Sequence, residues 1–516
     1  MMRTTRRVTQ IFFLLFFLFL FLKARYPYSD ALSSDLFLRF SPLAAVFDFI
    51  QNLHFPILFW PALIIIILTP FWGRFFCGWI CPLGTTLDMT DHLLKTTDKR
   101  TAVGWTKWRY LKYAVLLGLI LLAVFGIHLW GFLDPLSLFN RTLTVALYPL
   151  TTLFLERSLL FLGEMPLAGD AFYRIYDLFK DLIMPEEQAF LQQVFWIALF
   201  FVLILALEKL SRRFWCRNLC PLGALLGFLS QFRFFGRKVA DSCTSCAFCH
   251  SECKMNAIPA DNPLDTHAAE CIQCFNCAEN CPEKISAVSY GWQIKPQRSA
   301  IDFERRRFLQ TTTASAAVLG LMNIGLANKN EQALLIRPPG AIPEDDFLDR
   351  CIHCLQCVRI CSSNGGCLQA DQIHFDIRQL WSPVAKMREG WCEYNCNLCG
   401  LVCPTQAILP LPLEIKKKTN MGLARFDKNA CIPFERNEDC IVCEEHCPVA
   451  DKAIKFELKE VVQEDGTLKM VKYPYVIREL CIGCGICETK CPLPGMPGIY
   501  ITTENQTRLT AVEGAV

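Results

Sequence analysis

Cysteine is the residue type through which this chain can do chemistry. Its 516 residues include 29 cysteines; 28 fall into tight local groups and Cys367 alone stands apart. Six groups are quartets: Cys243, Cys246, Cys249 and Cys253; Cys271, Cys274, Cys277 and Cys281; Cys351, Cys354, Cys357 and Cys361; Cys392, Cys396, Cys399 and Cys403; Cys431, Cys440, Cys443 and Cys447; Cys481, Cys484, Cys487 and Cys491. In C-x2-C-x2-C-x3-C, three thiolates on one tight turn wrap three irons of a 4Fe-4S cube, and the fourth iron takes a cysteine from elsewhere. Cys281, Cys403, Cys447 and Cys491 each precede a proline, which stops the turn from continuing. Structural zinc is the competing use of C-x-x-C pairs. Six repeats of the longer run argue for about six 4Fe-4S clusters instead, and a disulfide-bonded secreted protein would scatter its cysteines.

Proximity in the chain predicts that Cys243, Cys246 and Cys249 share a site with Cys281, and Cys271, Cys274 and Cys277 with Cys253. For the last four quartets two pairings stay open, neighbours with neighbours or outer with outer and inner with inner. Lys254 and Ser362 stand where a proline would follow Cys253 and Cys361, the fourth quartet opens with x3 spacing, and the fifth carries the insertion IPFERNED. Such widened loops fit a tuned or partner-facing cluster as well as a neutral insertion. Cys367, in CSSNGGC, reads as an unliganded thiol in preference to a replacement for Cys361. Cys246, Cys249 and His250 also spell C-x-x-C-H, the c-type haem signal. The ferredoxin spacing already uses both cysteines, so no haem is expected. His250 then reads as a surface residue placed to tune a cluster by hydrogen bonding.

Two further motifs, CGWICPLG (77–84) and CRNLCPLG (216–223), repeat each other as C-x3-C-P. Cys77, Cys81, Cys216 and Cys220 are expected to approach one another from two related helical hairpins. They would hold a metal or cluster, or act as a redox-thiol relay. A structural role, small buried cysteines beside helix-stopping prolines, is the competing reading.

The elements that must position these groups begin in a membrane. Hydrophobic content is 53%, high for a soluble protein, and apolar runs at 8–22, 54–73, 113–131 and 192–209 approach the ~20 residues a bilayer needs. The first run lacks a following small-residue cleavage site, so it reads as a span and not a signal peptide. Lys and Arg are dense at 88–112 and 212–238, sparse at 24–52 and in a long 132–190 loop, which puts the N-terminus, the 74–112 loop and the segment after 210 in the cytoplasm. The expected fold is a four-span α-helical membrane domain (1–235) followed by α+β bacterial-type ferredoxin domains. These are a two-cluster unit (236–300) and, after a twin-arginine-like segment and linker (301–346), a four-cluster polyferredoxin (347–516). RRRFLQTTTASAAVLGLMNIGLA (305–327) resembles a twin-arginine export signal, against a basic linker and ordinary helix. Residues 236–300 are thus expected in the cytoplasm and 330–516 in the periplasm of a bacterial inner membrane.

A net charge of only +3 gives no basic field for nucleic acid. No G-x-G-x-x-G, P-loop or zinc-protease motif offers a substrate site. His54, His128 and Asp134, at the outer ends of apolar runs, are candidates for a quinone site, with capping or snorkelling as the alternative.

FFCGWICPLG and FWCRNLCPLG, with four spans and a following two-cluster domain, resemble the NapH/MauN group of membrane ferredoxin proteins, related to NosR and CcoG. From Arg305 onward the chain is similar to the NapG/MauM group of exported ferredoxin-type proteins, so the whole resembles a fusion of the two. That resemblance implies electron transfer from the quinol pool through 4Fe-4S clusters to a periplasmic reductase or c-type cytochrome, the work of a quinol dehydrogenase component. The CcoG likeness implies a second function, a redox maturation factor reducing the metal or thiols of a client enzyme. A wholly cytoplasmic ferredoxin array is a third. With clusters on both sides, electrons would face ~30 Å of hydrocarbon, and no haem-ligand pair lies within the spans.

Overall fold

A computed structural model describes residues 2–28, 32–52, 57–94, 106–164, 169–182, 191–282, 286–293, 335–372, 376–462 and 467–510. The run after Arg7 contains no glycine or proline and forms α1 (Met2–Lys23). At 1.5 Å per residue it is about 33 Å long. Phe17, Leu20 and Phe21 face the protein core, while Ile11, Phe12, Leu15 and Phe19 on the other side are exposed. Around it lie α2 (Pro42–Asn52), α3 (Trp60–Trp72), α4 (Phe75–Trp79), α5 (Pro82–Leu94) and α6 (Tyr110–Val124). They are followed by α7 (Pro135–Thr142), α8 (Tyr148–Gly163), α9 (Gly169–Leu182), α10 (Val194–Ala206), α11 (Phe214–Asn218) and α12 (Pro221–Leu229).

One expectation is corrected. The stretch read as a long loop contains a continuous helix, because a π-helical segment at Leu143–Leu147 joins α7 to α8. The resulting Pro135–Gly163 helix and α1 are the two helices, among the described residues, long and apolar enough to cross a membrane. The other three expected spans correspond to shorter apolar helices: Ile57–Trp72, Tyr110–Val124 and α10. The motif prolines separate two helices in each half: α4 and α11 end just before them, and α5 and α12 start on them. Pro82 opens α5 and Pro221 opens α12, since a fixed φ and a missing N–H suit the first helical position.

The ferredoxin part is turn-rich, with two-stranded antiparallel sheets. β1 (Phe235–Val239) pairs with β2 (Val288–Trp292) and closes the first unit. In the second, β3 (Leu368–Ala370) pairs with β4 (Pro383–Ala385), β5 (Leu423–Phe426) with β8 (Ile499–Thr502), and β6 (Ile454–Val462) with β7 (Leu468–Val476).

The two units sit at opposite ends of the helical domain. At the start of α1, the Arg3 amide donates to Glu279 of the first unit at 2.7 Å. At its far end the Tyr26 amide donates to Ser363 of the second at 2.8 Å, and Arg359 lies over the rings of Phe21 and Tyr148. One buried core runs from Ile272 and Cys274 through Cys77, Cys81, Cys216 and Cys220 to Ile352 and Cys354. The twin-arginine-like segment at 305–327 lies outside the described residues.

Candidate iron–sulfur centres

Folding resolves the pairing that spacing left open: neighbours share sites. Cys351, Cys354 and Cys357 line one cavity with Cys403, and Cys399 is flanked by Cys392, Cys396 and Cys361. Cys431, Cys440 and Cys443 line a cavity with Cys491, and Cys481, Cys484 and Cys487 with Cys447. In the first unit Cys271, Cys274 and Cys277 surround a cavity with Cys253, and Cys249 has Cys243 and Cys246 beside it. A single zinc would require four donors within about 2.3 Å of one point. Each of these cavities is lined by three cysteines of one quartet and the fourth cysteine of another, the three-plus-one arrangement of a two-cluster ferredoxin. Successive sites touch, since the Cys392 amide donates to the Cys484 carbonyl at 2.8 Å and Cys487 has Cys443 as a neighbour.

Hydrogen bonds to ligand sulfur set cluster potentials. His250 does not make one here: its Nδ1–H donates to the Ile258 carbonyl at 2.5 Å. Instead the buried Arg237 guanidinium donates to Cys249 Sγ at 3.3 Å, and the Tyr290 hydroxyl lies 3.2 Å from Cys277 Sγ. Neither residue belongs to a cysteine motif, although both lie on the paired strands that close the unit.

The four C-x3-C-P cysteines lie in one buried neighbourhood. Cys220 has Cys216, Cys77 and Cys81 around it, and all four are between 4% and 8% exposed. The halves interlock through a feature that spacing alone did not single out, an arginine three residues before each motif. Arg213 donates to the Cys77 and Gly84 carbonyls at 2.9 Å each. Arg74 reciprocates at Gly223, where a Cβ would come within 2.7 Å of Nη2. R-F-x-C-x3-C-P-L-G therefore repeats as a unit. Cys220 caps α12, its Sγ accepting from the Gly223 amide at 3.3 Å. Among the described residues, fully buried Arg74 keeps Nε and Nη2 without a hydrogen-bond partner. Orphaned cationic donors beside four buried cysteines fit an anionic iron–sulfur centre; when bound, it would store one electron.

Each end of the helical domain presents a glycine to a quartet loop. A Cβ on Gly78 would stand 2.3 Å from the Ile272 carbonyl, and one on Gly131 would stand 2.6 Å from that of Ile352. Trp79 Nε1 donates to the Gln273 carbonyl, and Phe132 stacks on His353. Buried Glu270, next to Cys271, binds Lys112 at 2.5 Å and Arg74 at 3.2 Å. Burial alone would raise its pKa, but those cations outweigh burial and hold the carboxyl at about 2.

Two of the three quinone-site candidates lie among the described residues. Asp134 caps α7, accepting from the Ser137 amide at 2.9 Å and the Ser41 hydroxyl at 2.7 Å. His128 is buried, and among the described residues its Nδ1 has no hydrogen-bond partner. His54 lies outside the described residues.

A family described as a 4Fe-4S binding domain matches residues 53–100 and 193–240, the segments containing both C-x3-C-P motifs. A second family of the same description matches residues 474–493. The ferredoxin-type protein MauM of Methylorubrum extorquens is 33% identical over 197 residues, covering 37% of this chain and 84% of MauM. MauM of Paracoccus denitrificans is 36% identical over 164 residues, 31% of this chain and 68% of the relative. The ferredoxin-type protein NapG of Escherichia coli is 32% identical over 205 residues, 39% of this chain and 84% of NapG. No solved structure matches the chain. With its 4Fe-4S ferredoxin domains and this coverage of its relatives, the chain belongs to the MauM/NapG family of ferredoxin-type proteins.

Proposed function

We propose that this chain is a membrane-bound electron-transfer protein, a quinol dehydrogenase component delivering electrons to a periplasmic reductase or c-type cytochrome. The observation that carries this reading is the placement of two ferredoxin units at opposite ends of one apolar helical domain, with Cys77, Cys81, Cys216 and Cys220 buried in the core that connects them. The uncovered apolar side chains of α1, α3 and α10, among them Phe12, Ile67 and Trp196, support a surrounding bilayer, because water-facing surfaces rarely keep such patches. The four crossings would be α1 and the three shorter apolar helices α3, α6 and α10. The first unit would then be cytoplasmic and the second periplasmic. The six quartets would each hold a 4Fe-4S cluster in the pairing described above.

Quinol oxidation releases two electrons and two protons, and His128 is the remaining described candidate beside the quinone. Burial of all four C-x3-C-P cysteines favours electron transfer over maturation of a client, since thiol exchange requires access to the attacking sulfur. Anaerobic addition of a short-chain quinol to the purified protein should reduce its clusters, seen as new electron paramagnetic resonance signals. If no cluster is reduced, the quinol reading fails. A reporter fused after Val516 and active only in the cytoplasm would remove the periplasmic placement.

A further inference from the structure

Across the two strands that close the first unit, Arg237 of β1 stands directly opposite Tyr290 of β2, so their side chains share one face of the sheet. That face meets both quartets. The Tyr290 hydroxyl lies 3.2 Å from Cys277 Sγ, and Arg237 Nη2 donates to Cys249 Sγ at 3.3 Å. Both residues also line the cavity that holds Cys253, Cys271, Cys274 and Cys277. Arg237 therefore serves two sites at once: it bonds a sulfur of one quartet and walls the cavity of the next.

The Arg237 side chain is buried at 2% exposure. Among the described residues its guanidinium meets no carboxylate. Nη1 donates to the Asp265 carbonyl at 3.2 Å and the Thr266 hydroxyl at 3.1 Å, and Nη2 also donates to the Pro263 carbonyl at 2.9 Å. Nε has no hydrogen-bond partner. A guanidinium stays charged at any working pH, and burying a charge without a counter-charge is costly. The thiolates of the two neighbouring sites supply the missing negative charge.

We propose that Arg237 is the shared counter-cation of the first unit's two clusters and sets both reduction potentials together. Reduction adds one electron to a cluster from an external donor and neither forms nor breaks a bond to the protein. A fixed cation in a low-dielectric interior stabilises that added negative charge, and net charge and hydrogen bonds to sulfur are what set cluster potentials. Tyr290, neutral and bonded to one ligand, tunes the Cys277 cluster alone. This inference rests on the reading that the quartets hold 4Fe-4S clusters and is independent of the quinol reading.

The test uses the full chain, purified without oxygen, as wild type, Arg237→Gln, Arg237→Met, Arg237→Lys and Tyr290→Phe. Iron and acid-labile sulfide are measured first, and either neutral variant that keeps its iron is read. Each protein is then titrated with dithionite against redox mediators, following cluster signals by electron paramagnetic resonance. In a neutral variant two reduction steps should become about tenfold less favourable, a fall of about 59 mV for one electron. Arg237→Lys should hold both steps above that level, and Tyr290→Phe should move a single step. If one step or none moves in the neutral variants, or lysine holds the steps no higher than they do, the shared role is overturned. Loss of iron from both neutral variants would make Arg237 a structural residue and overturn it too. Wild-type protein without acid-labile sulfide would overturn the cluster reading, and this inference with it.

Discussion

Gly78 carries more than its place in CGWICPLG indicates. The Ile272 carbonyl lies where a Cβ would be, 2.3 Å away, so only a bare backbone lets the Cys271–Cys274 loop reach Cys77. Gly78→Ala should destabilise the docked first unit by about 1–3 kcal/mol, the usual range for overpacking. It should lower the temperature at which cluster absorbance is lost, and a wild-type melting curve would contradict the contact. The cysteine quartets were legible from spacing because cluster chemistry requires that spacing. Arg237 and Tyr290 were not, because their bonds to Cys249 and Cys277 exist only once β1 and β2 pair. Gly131 lies in no motif, and only its approach to Ile352 gives it a role.

At the scale of elements, a buried ionic cluster clamps the first unit to α6 and to the turn before α4. Glu270, Lys112 and Arg74 are each at most 5% exposed. Glu270→Gln would leave two buried cations without a counter-charge, a loss of about 3–5 kcal/mol where one partner of a buried pair is removed. The expected outcome is faster proteolysis between the helical domain and the first unit, while the clusters of the second unit are retained; unchanged proteolysis would contradict the clamp. Apolar runs predicted α1 well, since its side chains are hydrophobic all round. They missed the Pro135–Gly163 helix because Asn140 and Arg141 interrupt the hydropathy. Those two residues donate to the Cys354 and His353 carbonyls, so their polarity serves the third quartet. The motif prolines act on both sides: a proline that blocks the helix before it starts the one after it.

Across the whole molecule, composition and cysteine spacing were enough to predict helices followed by ferredoxin units. The pairing of the last four quartets and the placement of the units at opposite ends of α1 depend on long-range packing, which spacing does not encode. The gap of ~30 Å that a bilayer would interpose is filled in this fold by a continuous core containing four cysteines and two interlocking arginines. The central claim is that electrons reach the second unit through those cysteines. The most direct test is anaerobic quinol reduction of wild type and of the Cys77→Ser/Cys216→Ser variant, following the clusters of the second unit by freeze-quench electron paramagnetic resonance. Those clusters should become reduced in the wild type and remain oxidised in the variant, with iron at the six quartets unchanged. Reduction at the same rate in both proteins would contradict the claim.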